Sequence, residues 1–121
     1  MRARDIMADA SPGRQFGTGD QLALAAEVLG HLADPTRLHL LRLLAGDEQD
    51  VSTLTAQVSA SRSSVSQHLG RLRLAGLVQV RREGRRMLYR VASDHLRGLV
   101  EEAYLFAGHL IHGIPHHAPE R

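Results

Sequence analysis

The chain has 121 residues, of which 43% are hydrophobic and 3% aromatic, enough for one domain with a modest core. It contains no cysteine, which excludes disulfides, thiolate metal ligands, iron–sulfur clusters and thiol redox sensing. No run approaches the roughly 20 apolar residues of a membrane span, and the N-terminus has no apolar leader. We therefore expect a cytoplasmic protein with no membrane partner.

The small net charge of +2 conceals an uneven distribution along the chain. Residues 61–90 hold eight arginines against one acid, Glu83, a local charge of +7. The rest of the chain holds seven arginines against twelve acids, a charge of −5, and there is no lysine anywhere. A basic segment on an acidic body is typical of a surface that binds a polyanion. The alternative at this point is a solvated charged hairpin.

The first half of the chain predicts an arm followed by two helices. Residues 1–18 contain turn formers without periodicity, which indicates a flexible N-terminal arm. A first helix is expected over residues 21–33 with Asp20 as its cap, and a second over residues 35–45 with Asp34 as its cap. Their apolar residues are mainly Leu and Ala. A core this lean is often completed by a second subunit, so we expect a homodimer.

Two more helices are predicted before the pattern changes. Ser52 is placed to cap a short third helix that runs through Val58. Ser61 is placed to cap a fourth helix, over residues 62–75. The inward stripe of this fourth helix, at spacings i, i+4 and i+7, is Val65, Leu69 and Leu72.

A β-hairpin and a last helix complete the pattern. Two β-biased runs, residues 77–82 and 86–91, are joined around Glu83-Gly84, a hairpin signal. Asp94 is placed to cap a last helix that ends near His112. This order of elements is that of a winged helix-turn-helix, mainly α with a two-stranded wing.

This order also predicts how the chain is organised. We expect residues 19–112 to form one domain for DNA binding and for dimerisation through its terminal helices. Residues 113–121 then form a histidine-rich C-terminal tail.

The fourth helix is the predicted recognition helix, which in such motifs lies in the major groove. Gln pairs with adenine, Arg with guanine and Ser with either. The residues expected to face base edges are Ser63, Ser64, Gln67, His68 and Arg71. Arg62 is expected to hold a phosphate. The wing arginines expected to reach the backbone or the minor groove are Arg81, Arg82, Arg85 and Arg86. For His68, packing at the helix surface is an equal alternative.

Four motifs together resemble a known family. They are Leu32-Ala-Asp-Pro-Thr-Arg37, Ser61-x-x-x-Val65-Ser-Gln-His68-Leu-x-x-Leu72, Ala75-Gly-Leu-Val78 and Arg82-Glu-Gly-Arg85-x-x-x-Tyr89-Arg90. Over roughly residues 20–112 the chain resembles the ArsR/SmtB family of winged-helix repressors. The resemblance implies a homodimer that binds double-stranded operator DNA of twofold symmetry and releases it under control of a ligand.

Five of the eight histidines lie in the last 28 residues: His95, His109, His112, His116 and His117. Imidazole is the commonest ligand for zinc, nickel and cobalt. On a helix the 14 residues from His95 to His109 turn 1400°, so both share a face about 21 Å apart. A single ion cannot bridge that distance, but an antiparallel copy of the helix brings His95 of one chain beside His109 of the other. Asp94 is a weaker candidate ligand.

The C-terminal pattern is most similar to the KmtR-type nickel/cobalt sensors, a branch of the same family. That resemblance carries over His95, His109, His116 and His117 as ligands. The branch has an acidic ligand where this chain has Gly108, and we expect His112 to replace it. Nickel or cobalt is the expected metal and zinc the alternative, because these ions accept nitrogen and oxygen ligands.

The sequence therefore predicts a metal-responsive transcriptional repressor, with the sign of the metal effect left open. The alternative is a winged-helix regulator controlled by a non-metal ligand or a protein partner. A metallohydrolase is not expected, since the chain has no His-Glu-x-x-His pattern and no arrangement of nucleophile and base.

Overall fold

A computed structural model describes residues 18–113 of the chain. Its elements are α1 (Thr18–Leu32), α2 (Pro35–Gly46), α3 (Val51–Thr55), α4 (Arg62–Leu74), β1 (Val78–Glu83), β2 (Arg86–Val91) and α5 (Asp94–His112). The order is the predicted one, a mainly helical fold with a two-stranded wing. The predicted arm and tail lie outside the described residues except for Thr18 and Gly113. No helix within residues 18–113 is long and apolar enough to cross a membrane.

Two of the predicted helix caps are confirmed. The Asp34 carboxylate caps α2 by accepting a hydrogen bond from the Arg37 backbone N–H at 2.9 Å, with Pro35 as the first helical residue. The Ser61 hydroxyl caps α4 by accepting from the Ser64 backbone N–H at 3.0 Å. Both helices therefore begin where their sequence signals predict.

The predicted cap and end of α3 are wrong. Asp50, not Ser52, caps this helix, and its carboxylate accepts from the Thr53 backbone N–H at 2.8 Å. The Ser52 hydroxyl instead accepts a hydrogen bond from Arg62 Nη1 at 2.6 Å. The helix ends at Thr55 rather than Val58. A tertiary contact has taken the hydroxyl that the sequence assigned to capping.

The predicted caps of α5 and α1 are also wrong. Ser93 caps α5 through a 3.2 Å hydrogen bond from the Leu96 backbone N–H, while Asp94 is the first helical residue and forms an ion pair with Arg97 at 2.6 Å. Helix α1 begins at Thr18, so Asp20 lies in its first turn, where its charge complements the helix dipole.

The core lies where α2, α3, α4 and α5 meet and is built almost entirely from leucine and valine. Its most deeply buried side chains are Leu40, Leu41, Leu44, Leu54, Val65, Leu69, Leu72 and Val100. Burying each contributes about 1.5–3 kcal/mol relative to exposure. The predicted inward stripe of α4 is confirmed, and the three residues of that stripe hold the recognition helix on the body of the domain.

The wing is anchored to the body at its base. Strands β1 and β2 pair antiparallel from Val78 opposite Val91 to Glu83 opposite Arg86, and Gly84 in the turn has a φ of 65°, which favours glycine. The backbone of Tyr89 in β2 also exchanges two hydrogen bonds with Gln49, at 2.9 and 3.1 Å. The loop between α2 and α3 is thus joined to the wing.

Candidate DNA interface and C-terminal helix

The recognition helix α4 presents a polar ridge away from the core. Ser63, Gln67 and Arg71 are exposed and follow one another at intervals of four residues, which places them on one face. Ser66 is exposed beside them. The sequence prediction passes over it, although its position 100° round the helix from the buried Val65 is the signal that finds it. The ridge has the size and polarity to enter a major groove.

Two residues predicted to face outward are half-buried. Ser64 lies in the first turn beside the Ser61 cap. The His68 side chain is 22% exposed, and its Nε2 lies 4.0 Å from Oδ2 of Asp34. The outward orientation expected for His68 is therefore wrong, because position 68 is only 60° round the helix from Val65 and faces the start of α2. The alternative reading, packing at the helix surface, describes its place better.

Arg62, the expected phosphate contact, lies at the start of α4. Its Nη1 donates to the Ser52 hydroxyl and so ties the recognition helix to α3, the first helix of the helix-turn-helix. Arg62 is exposed. Its contact with a phosphate stays a prediction.

The four wing arginines divide into two pairs. Arg81 donates to both carboxylate oxygens of Glu48, with Nε–Oε2 at 2.9 Å and Nη2–Oε1 at 2.8 Å. Arg86 Nε donates to Oδ2 of Asp50 at 3.1 Å. The remaining two, Arg82 and Arg85, lie at the tip, and no ion pair within residues 18–113 involves either of them. The sequence prediction did not separate these pairs.

The two partner carboxylates are held in their ionised form. The hydrogen bond from Arg81 lowers the pKa of Glu48. Hydrogen bonds from the backbone and side chain of Thr53, followed by the one from Arg86, lower the pKa of Asp50 to about 2. Both acids lie in the loop between α2 and α3, so this loop neutralises the base of the wing and leaves the charge at its tip.

Helix α5 joins the DNA-binding body through two arginines. The Arg42 guanidinium of α2 lies over the Tyr104 ring, 3.4 Å from its centroid, and Arg42 Nε is 3.5 Å from Oε1 of Glu101. At the start of α5, Arg97 Nε donates to the Ala45 carbonyl at 2.9 Å. Both contacts connect α2 to α5, so the two helices are held in a fixed relation.

An apolar stripe runs along the opposite side of α5. Leu99, Phe106 and Leu110 are 39%, 62% and 67% exposed. Helix α1 adds Leu22 and Leu29, which are more than half exposed. Exposed apolar residues on two terminal helices form the kind of surface that a second protein chain covers.

The C-terminal histidines are spread along α5. His95 is exposed in the first turn, His109 is half-buried, and His112 is exposed in the last turn. His116 and His117 lie outside the described residues. Within residues 18–113, no three metal-ligating side chains cluster. The all-nitrogen set suits nickel, cobalt or zinc in its chemistry, but a single copy of α5 cannot assemble it.

Comparisons with known proteins agree with this architecture. The sequence profile of the family described as "Bacterial regulatory protein, arsR family" matches residues 34–80. The chain is 46% identical over 98 residues to the HTH-type transcriptional regulator KmtR of Mycobacterium tuberculosis, covering 81% of this chain and 75% of that protein. It is 42% identical over 83 residues to the transcriptional repressor SmtB homolog of Synechocystis sp., covering 69% and 63%.

Solved structures of similar proteins share the fold. The homodimeric winged helix-turn-helix DNA-binding domain of Mb0332 from Mycobacterium bovis matches with a TM-score of 0.73 and 29% identity, covering 86% of this chain and 96% of that one. The crystal structure of Rv0081 from M. tuberculosis matches with a TM-score of 0.67 and 34% identity, covering 74% and 91%. The protein therefore belongs to the ArsR family of winged helix-turn-helix transcriptional regulators, which are not enzymes.

Proposed function

We propose that this protein is a metal-responsive transcriptional repressor that binds operator DNA as a homodimer in the cytoplasm. One observation carries the metal-sensing part. His95 lies only 20° round α5 from Phe106, in the middle of the exposed apolar stripe, and His109 lies 60° from it. A partner that covers the stripe therefore also meets the imidazoles.

The homodimer is supported by the exposed apolar residues of α1 and α5 and by the homodimeric relative from M. bovis. If two copies of α5 run antiparallel, His95 of each chain approaches His109 of the other. Twofold symmetry then gives two equivalent metal sites per dimer. His112, His116 and His117 are the candidates for the remaining ligands, and Asp94 is a weaker one because Arg97 already pairs with it.

The DNA-binding part is supported by the polar ridge of α4 and the charged tip of the wing. The ridge enters the major groove, where Gln67 and Arg71 are able to read adenine and guanine. Arg82 and Arg85 follow the backbone or the adjacent minor groove. Arg62, at the start of α4, holds a phosphate.

The route from metal to DNA passes through α2. A metal bound between the two copies of α5 favours one arrangement of the dimer. Arg42 and Arg97 transmit the position of α5 to α2, on whose first turn the recognition helix rests. The coupling typical of such systems is 1–3 kcal/mol, equivalent to a 5- to 150-fold change in DNA affinity.

The experiment is a metal titration followed by DNA binding. The purified protein selects its preferred duplex from a random pool, and fluorescence anisotropy measures the affinity with and without Ni²⁺, Co²⁺ and Zn²⁺. We expect one of these metals to change the affinity at least fivefold. The His95→Ala and His109→Ala variants should lose the change, whereas His39→Ala, which removes an exposed imidazole from α2, should keep it.

The same experiment distinguishes the alternative function. If saturating metal leaves the DNA affinity of the wild-type protein unchanged, the protein is a winged-helix regulator under a non-metal ligand or a protein partner. If the metal response persists in both α5 variants, the proposed site between the terminal helices is wrong.

A further inference from the structure

His68 is the polar residue of the recognition helix that turns away from the ridge. Its side chain is 22% exposed and faces Asp34, the N-cap of α2, with Nε2 4.0 Å from Oδ2. Gln67, the neighbouring residue, points 100° away and is exposed. Consecutive residues of α4 are thus divided between the groove-facing ridge and a contact within the domain.

The carboxylate that His68 faces is fixed in place and in charge. Asp34 Oδ2 accepts the Arg37 backbone N–H at 2.9 Å, and Arg37 Nε in turn donates to the His31 carbonyl at 2.8 Å. The backbone hydrogen bond from Arg37, helped by the positive charges of Arg37 and His68, lowers the pKa of Asp34. Asp34 is therefore an ionised acceptor anchored to the first turn of α2.

We propose that His68 is a positioning residue of the recognition helix, and that its contact with Asp34 fixes the rotation of α4 about its own axis. The inference rests on the DNA-binding part of the proposed function. The other contacts of α4 with the body are made by Val65, Leu69 and Leu72, and apolar packing is not directional. The imidazole supplies a directional contact beside them.

The size of the effect follows from helix geometry. The tips of groove-facing side chains lie about 6 Å from the helix axis, so a rotation of about 15° moves them by roughly 1.5 Å. Hydrogen bonds to base edges tolerate only about 0.5 Å in donor–acceptor distance. A small rotation therefore weakens every base contact of the ridge together, while contacts from the wing to phosphates are preserved.

The test compares three variants with a base-reading control. His68→Leu keeps the apolar bulk and removes the donor. His68→Gln keeps a donor for the carboxylate, and Asp34→Asn keeps the α2 cap, since Asn caps as well as Asp, but removes the charge. Gln67→Ala is the control for a residue that reads one base pair. Affinity is measured for the selected duplex, for its single-base-pair substitutions and for an unrelated duplex.

For His68→Leu and Asp34→Asn we expect the affinity for the selected duplex to fall about 5- to 30-fold, with discrimination reduced at all positions read by the ridge. Affinity for the unrelated duplex and its salt dependence should not change. The double variant should lose no more than either single variant, and His68→Gln should restore most of the affinity. Gln67→Ala should relax one position only.

Several outcomes overturn the proposal. These are relaxation at a single base pair in His68→Leu, unchanged affinity in both His68→Leu and Asp34→Asn, additive losses in the double variant, or a loss in His68→Gln equal to that in His68→Leu. Thermal unfolding verifies that each variant is folded, and Asp34→Asn carries the test if His68→Leu is not. A wild-type protein that selects no sequence at all refutes the DNA-binding function itself, and this inference with it.

Discussion

The two pairs of wing arginines should make different contributions to DNA binding. Each phosphate contact adds about 0.9 to the slope of log affinity against log salt concentration. Because a variant is present in both subunits, Arg85→Ala removes two such contacts and should lower the slope by about 1.8. Between 50 and 200 mM salt, this corresponds to a tenfold smaller loss of affinity than in the wild-type protein.

Arg81 should behave differently because Glu48 already neutralises it through two hydrogen bonds. Replacing both partners, as Arg81→Ala with Glu48→Ala, leaves the local charge unchanged and avoids a lone carboxylate facing the DNA. We expect this double variant to keep the wild-type slope within about 0.3, well below the step of a single phosphate contact.

The assay is fluorescence anisotropy with a labelled non-specific duplex at four salt concentrations between 50 and 200 mM. A double variant whose slope falls as far as that of Arg85→Ala would show that Arg81 leaves Glu48 to bind phosphate, and the division of the wing would be wrong. An unchanged slope in Arg85→Ala would show that the tip makes no phosphate contact.

Four further changes have expected outcomes. Because the pKa of Asp50 is lowered from 3.8 to about 2, its contribution to stability is complete above pH 3.8 and is lost as the pH falls towards 2; Asp50→Asn, which keeps a cap but weakens the contact with Arg86, should flatten acid unfolding in that range, measured by circular dichroism. Leu69→Ala removes a fully buried side chain and should lower the free energy of unfolding by about 2–5 kcal/mol in guanidinium titrations. Gly84→Ala forces a side chain into a positive φ and should destabilise the wing by about 1–2 kcal/mol, with faster amide hydrogen exchange in both strands. Arg42→Met should reduce the metal-induced change in DNA affinity while metal affinity in a direct titration stays the same.

The sequence predicts the helices and the wing well because their signals are local. Asp34 followed by Pro35 begins α2, Ser61 begins α4, and Gly84 turns the hairpin, each through bonds or φ angles within four residues. The prediction fails where two neighbouring polar residues compete for one cap. Asp50 caps α3 because the Ser52 hydroxyl is bonded to Arg62, ten residues away. No local rule distinguishes the two.

The division of the wing depends on contacts that sequence patterns do not reveal. Arg81 and Glu48 are 33 residues apart, and Arg86 and Asp50 are 36 apart. A count of charges places all four wing arginines in one basic segment and the acids in another part of the chain. Only the backbone pairing of Gln49 with β2 brings the two segments together, and this pairing leaves no periodic pattern in the sequence.

The shared face of α5 connects dimerisation with metal binding. His95, Phe106 and His109 lie within 60° of one another round the helix, so the surface that covers Phe106 also desolvates the two imidazoles. A ligand that binds only the paired state stabilises that state by mass action. Metal should therefore tighten the dimer whatever it does to DNA, because His95 and His109 of one chain, about 21 Å apart, cannot reach one ion without the second chain. Analytical ultracentrifugation with and without Ni²⁺ measures this link independently of any operator, and a dimerisation constant indifferent to metal would separate the histidines from the interface.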